Sequence, residues 1–159
     1  MTTTAVRTPH EVARRAGTVM DEKFKVAPRC GDNPPLPEDA NKVGVMRRIT
    51  AARLRHCGLE ALADDVMVLV SEMLTNALVH SGASEIGLHI TVSEGYLRIT
   101  VIDGMAGAPV PKAVGENDES GRGLGLVETL VKAHGGEWDT SESGDRTWCS
   151  LALPAAAQL

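Results

Sequence analysis

Glu72 and Asn76 stand four residues apart in Ser71-Glu72-Met73-Leu74-Thr75-Asn76-Ala77, so on a helix a carboxylate and a carboxamide share one face. A carboxylate placed there can orient or deprotonate a hydroxyl, and an amide oxygen can ligate a magnesium ion that bridges phosphates. The same spacing also serves an ordinary solvated helical face, where such pairs are common. Asp103 is more specific, because Leu97, Ile99 and Val101 share its parity and an apolar strand face therefore ends in a carboxylate that needs a partner. An exocyclic amine such as that of adenine could supply the partner, and Gly104 permits close backbone approach. A simple turn-forming Asp-Gly pair is the alternative.

Thr147 repeats the pattern, with Cys149, Leu151 and Leu153 behind it on the same parity. Its hydroxyl could reach the same ring or a bridging water, although threonine is also a favoured strand residue. Gly121-Arg122-Gly123-Leu124-Gly125-Leu126 offers flexible glycines and unpaired amides at a helix start, which can cradle phosphate oxygens. It follows a long loop instead of a strand and lacks the lysine and hydroxyl residue of a P-loop. It therefore fits neither that motif nor the dinucleotide fingerprint, and points to a different phosphate-binding architecture.

Periodicity supplies the elements that must carry these residues. Phe24 and Val26 alternate with lysines, so Glu22 to Ala27 reads as a half-buried strand ahead of the turn-rich Pro28 to Pro37. From Glu38 to Cys57, Val45, Ile49 and Ala52 recur at helical spacing, Arg47, Arg48, Arg53 and Arg55 cover the remaining surface, and Gly58 is a natural stop. A second helix runs from about Glu60 to His80 on a broad apolar stripe that includes Leu62, Val66, Leu69, Met73 and Ala77. Ile86 to Val92 and Leu97 to Val101 alternate around Ser93-Glu94-Gly95 as a hairpin. Gly104 to Gly121 has no sustained period, and a loop of that length in a small domain is usually functional. A short helix around Leu124 to Val131, ended by Gly135-Gly136, precedes a last hairpin of Glu137 to Ser141 with Arg146 to Leu153. This order predicts an α+β two-layer sandwich, a mostly antiparallel mixed sheet covered on one face by helices.

At 159 residues the chain suits one domain. Aromatics make up only 3% of it, so the core must be mainly aliphatic. The net charge of -5 argues against a direct nucleic-acid partner, which usually shows as a basic excess. Cys30, Cys57 and Cys149 are odd in number and lack zinc or redox spacing, which fits a reducing cytoplasm. No stretch approaches the length needed to cross a bilayer, so no membrane partner is expected. His80 reads as a last-turn residue interacting with terminal carbonyls, and His10, His56, His89 and His134 show no metal-ligand spacing. Residues 1–20 are expected to be a weakly periodic N-terminal segment, with Val12, Ala13 and Val19 candidates for a short helix; 21–154 form the domain and 155–159 a tail.

Glu72 to Ala77, Asp103-Gly104 and Gly121 to Leu126 resemble, in order, the N, G1 and G2 boxes of the GHKL ATPase superfamily, the group with the Bergerat fold. Within it, Ser71 to Ala77 followed by His80-Ser81 is similar to the stand-alone ATP-binding proteins related to bacterial anti-sigma factor serine kinases. The G1 box usually reads Asp-x-Gly-x-Gly, whereas this chain has Asp103-Gly104-Met105-Ala106-Gly107. The resemblance implies an ATP site in which Asn76 ligates Mg2+, Asp103 bonds the adenine amine, and Thr147 supports the adenine pocket. It further implies that Gly107 belongs to the G1 turn, that Gly121, Arg122, Gly123, Leu124 and Gly125 shape the phosphate lid, and that Glu72 is the general base. It implies as partners a sigma factor and an antagonist protein phosphorylated on serine, with a homodimer as an assembly relatives commonly adopt. An ATP-gated switch without phosphoryl transfer is the alternative; a histidine kinase fragment is weaker, since no phosphoacceptor histidine on a dimerisation helix stands out.

Overall fold

The computed structural model describes residues 17–27, 34–80, 82–103, 119–141 and 144–154. Its elements are β1 (Gly17–Lys25), α1 (Pro37–His56), a 3₁₀ turn (Glu60–Leu62), α2 (Ala63–His80), β2 (Glu85–Ser93), β3 (Tyr96–Ile102), α3 (Glu119–Ala133), β4 (Trp138–Thr140) and β5 (Arg146–Ala152). The sheet order is β1-β2-β3-β5-β4, and every neighbouring pair is antiparallel. The two-layer α+β architecture is the one expected, with a sheet that is wholly antiparallel among the described strands instead of mixed. α2 lies between α1 and α3; α1 packs on β1, α2 on β2 and β3, and α3 on β4 and β5.

Alternation on the strands decides which face the helices cover. Ile86, Leu88, Ile90, Leu97, Ile99 and Leu151 are fully buried and meet Val66, Leu69 and Leu74 of α2. The β2–β3 hairpin turns on Glu94 and Gly95, with φ of 53° and 82°. Two positive φ values in succession are what a type I′ turn requires, and its twist matches that of the flanking strands.

β1 and α1 differ from their sequence reading. β1 starts at Gly17, so Val19 lies in a strand and not a helix, whereas Val12 and Ala13 fall outside the described residues. A register shift between Thr18 and Met20 turns the consecutive Val19 and Met20 both into the core, which erases the alternation that would have marked the strand before Glu22. In α1, the packed residues are Asp39, Val43, Thr50, Ala51 and Leu54, while Val45 is 40% exposed and Ala52 is exposed. The stripe expected from Val45, Ile49 and Ala52 is therefore displaced around the helix.

That displacement is possible because the polar groups on the packed face are satisfied. Thr50 donates to the Met46 carbonyl at 2.7 Å and rests against Met20 Sδ. Asp39, 4% exposed, accepts the Ala27 N–H at 2.9 Å and pairs with Lys42 at 3.2 Å, fastening the start of α1 to the chain leaving β1. The arginines do not all lie on a solvated face either, since Arg53 reaches Glu22 at 2.8 Å.

The connection from α3 into β4 is close-packed backbone. Gly135 takes φ 65°, and the Gly136 N–H donates to the Val131 carbonyl at 2.9 Å, closing the helix end. A Cβ on Gly136 would stand 1.7 Å from the Ser150 carbonyl oxygen. Only glycine allows the segment leaving α3 to pass β5 at that separation.

Candidate functional site

α2 has Met73, Leu74, Ala77 and Leu78 buried, Thr75 exposed, and Glu72 and Asn76 half-buried. The carboxylate and the carboxamide therefore border the apolar stripe, one turn apart, as the four-residue spacing requires. Ser71, Thr75 and Leu78 look toward α1, and Glu72 and Asn76 lie about a quarter turn further round the helix.

Asp103 follows the last residue of β3. Its N–H donates to the Asp145 carbonyl at 3.0 Å, extending the ladder by one step beyond the Ile102–Arg146 pair. Asp145 Oδ1 accepts from the Ser141 hydroxyl at 2.9 Å, which steadies the turn opposite. Thr147 pairs with Val101 on β3 and with Thr140 on β4, and is half-buried. Asp103 and Thr147 thus occupy adjacent strands, on the helix-covered face and at the same end of the sheet, in the diagonal relation that usually separates residues by about 7–8 Å.

One contact registers the helix on this end of the sheet. Cys149 Sγ lies 3.7 Å from Met73 Sδ, both residues being buried. Met73 is the neighbour of Glu72 on α2, and Cys149 is two residues from Thr147 on β5. The midpoint of α2 is therefore seated one step inside the edge where Asp103 and Thr147 stand. Neither sulfur was singled out from the sequence; the parity of Cys149 behind Thr147 was the available signal. Burial pushes the Cys149 thiol up to about 12 from 9.0. A thiol reagent at pH 8 should accordingly modify Cys57, which is partly exposed, and leave Cys149 intact until the protein unfolds; mass spectrometry of the labelled native protein checks this. The sign also sets a stability trend: the unfolded thiol ionises near 9.0 and the folded one does not, so its contribution to stability is full below that pH and is lost as pH rises toward about 12.

The glycine segment sits differently from expectation. α3 already begins at Glu119, so Gly121, Arg122, Gly123, Leu124 and Gly125 lie within the helix instead of opening it. Gly121 falls in the first turn, whose amides a helix leaves unpaired; Gly123 and Gly125 lie beyond it. Val127 and Val131 are buried and hold α3 to the core, whereas Gly125 and Leu126 are exposed. Gly107 and the loop from 104 to 118 lie outside the described residues.

His134 has a partner that sequence reasoning missed. Its Nε2 lies 2.6 Å from Asp65 Oδ2, which ties the end of α3 to the first turn of α2. The two residues are 69 positions apart, and nothing local marks them as a pair. Among the described residues, no helix is long and apolar enough to cross a membrane, and no three His, Cys, Asp or Glu side chains converge as a metal cage.

A family model of the histidine kinase-like ATPase domain matches residues 36–151, which span every one of these motifs. The chain belongs to the histidine kinase-like ATPase family. Membership carries ATP binding and places the protein in the superfamily that its three boxes resemble. Among solved structures, the chain is similar to the histidine kinase domain of the Erythrobacter litoralis EL346 blue-light activated histidine kinase. Identity is 26%, the match covers 82% of this chain and 66% of that one, and the TM-score is 0.46. This ATPase-family chain thus spans slightly less than two thirds of that structure's length. No curated protein matches it.

Proposed function

We propose that this protein is an ATP- and Mg2+-binding regulator of the anti-sigma factor kinase type, which binds a sigma factor and transfers the γ-phosphate to a serine of an antagonist protein. The observation that carries the reading is the seating of α2, through Met73 on Cys149, over the sheet end that holds Asp103 and Thr147. One helix then brings an acid and an amide oxygen to a place where a strand-end carboxylate can read an adenine amine. The finer assignment within the family is supported by the run Ser71 to Ala77.

In this reading, Asn76 offers its side-chain oxygen to magnesium, whose remaining ligands would be phosphates and water, the usual manner of Mg2+ binding in phosphoryl-transfer sites. The bound nucleotide supplies the phosphoryl group. Glu72 accepts the proton of the incoming serine hydroxyl, Asp103 accepts the adenine amine's hydrogen bond, and Thr147 supports that contact. The first turn of α3 offers unpaired amides to the phosphates.

The shared premise is tested by calorimetry with ATP and magnesium on the wild-type protein and on Asp103→Asn. Asparagine presents an amide where the ring amine needs a charged acceptor, so affinity should fall about 10- to 100-fold, the cost of a lost charge-assisted hydrogen bond. Unchanged affinity would remove Asp103 from the site.

A further inference from the structure

A second surface lies on the neighbouring face of the same helix. α1 and α2 are joined by a short connection and run antiparallel, and a groove of about 820 Å³ opens between the first half of α1 and the second half of α2. Asn41, Gly44, Val45 and Arg48 line it from α1 at the i, i+3, i+4, i+7 spacing of one helical face, and Ser71, Thr75 and Leu78 line it from α2. The stripe on α1 is about 10 Å long, two turns of helix.

The groove has a chemistry of its own. None of its lining residues is acidic and two are arginines, Arg47 and Arg48, in a chain whose net charge is -5. Arg47 Nε is buried and has no hydrogen-bond partner among the described residues. A buried donor without an acceptor is unfavourable, and a guanidinium is suited to donate to both oxygens of a planar carboxylate. Val45, 40% exposed, supplies an apolar floor, and Gly44 adds no side chain of its own beside it, with Arg48 Nη1 lying 3.7 Å from where a Cβ would stand. Glycine in a helix interior costs stability relative to alanine, so its presence there leaves room at a price in propensity.

We propose that this groove docks an amphipathic helix of a protein partner, whose apolar face lies over Gly44 and Val45 and whose carboxylate pairs with Arg47. Two stripes of helical period, parallel and about two turns long, form the kind of trough into which a third helix sets its ridges. The positive lining selects an acidic segment over the abundant basic ones. The docking does not depend on the nucleotide reading, because Glu72 and Asn76 lie on a different face of α2.

The test uses three helical peptides with one common apolar face and Glu, Gln or Lys at a central position, titrated into the full chain. Fluorescence anisotropy gives affinity, and the NMR signal of the Arg47 Nε–H reports where the peptide sits. The Glu peptide should bind and shift that signal, the Gln peptide should bind about tenfold more weakly, as expected when a charged acceptor becomes neutral, and the Lys peptide should not bind. Gly44→Leu, which fills the trough with a better helix former, and Arg47→Gln should each abolish the preference for Glu and leave ATP affinity unchanged. Arg47→Lys, which keeps the charge, should restore part of it. Equal binding of the Glu and Gln peptides, no binding of either, or a shift of the Arg47 signal by ATP alone with peptide excluded would each overturn the proposal. Asp103→Asn separates the two sites: it should weaken ATP binding about 10- to 100-fold and keep the peptide.

Discussion

Glu72→Ala should slow transfer of γ-phosphate label to the serine of a partner protein by about 10²- to 10⁴-fold, the range contributed by a positioned general base. ATP affinity should change by less than about threefold, because a group that acts on the incoming hydroxyl contributes to the transition state and not to ground-state nucleotide binding. The expectation rests on the position of the carboxylate, half-buried on α2 and one turn before Asn76. Single-turnover label transfer alongside calorimetry separates the two effects. If transfer proceeds at the wild-type rate, Glu72 is not the base. If the intact, ATP-bound protein transfers no label to any partner, the nucleotide acts as a gate for partner binding and α2 carries no catalytic group.

Gly136→Ala should be the most damaging single-methyl substitution in the described fold. The added Cβ would stand 1.7 Å from the Ser150 carbonyl oxygen and 2.6 Å from its carbonyl carbon, both backbone atoms that no rotamer can move. The crossing is pinned on either side, by Ser150 N–H to the Glu137 carbonyl at 2.8 Å and by Ala152 N–H to the His134 carbonyl at 3.0 Å. Relief therefore requires separating β5 from the segment leaving α3, at a cost of about 3 kcal/mol or more. For a domain of this size that corresponds to a fall in Tm of roughly 6–12 °C. Gly135→Ala is the control: its φ of 65° is strained for alanine, but its nearest neighbour is the Ala152 Cβ at 3.9 Å, so the loss should be about 1 kcal/mol. Thermal denaturation of both variants decides the matter; equal losses would mean that backbone conformation, and not the close approach, sets the requirement for glycine.

What the sequence revealed follows from how local each signal is. α2 and the β2–β3 hairpin were legible because their patterns are regular over whole elements and the hairpin's turn is marked by Glu94-Gly95. Asp103 and Thr147 were legible as carboxylate and hydroxyl ending apolar rows, and the strand register places them diagonally across adjacent strands. The buried face of α1 was not, because Asp39 and Thr50 enter the core with their polar groups satisfied by Ala27, Lys42 and Met46, partners that a hydropathy pattern does not contain. The early part of β1 was hidden by its bulge. The pairs His134–Asp65 and Cys149–Met73 join residues 69 and 76 positions apart, and periodicity carries no information across such distances.

The pairing of β3 with β5 has a kinetic meaning. β2 and β3 meet across a two-residue turn, but β3 and β5 come together only after the chain between Ile102 and Arg146, with α3 and β4 in it, has been brought back across the sheet. Closing that long loop carries an entropic penalty that the local hairpin does not, so this is expected to be a late step in folding. Asp103 and Thr147 stand on opposite sides of that seam. On the proposed reading of these two residues, a chain that has not finished folding has no place for adenine, and nucleotide added during refolding should hold only molecules that have completed the last and longest closure.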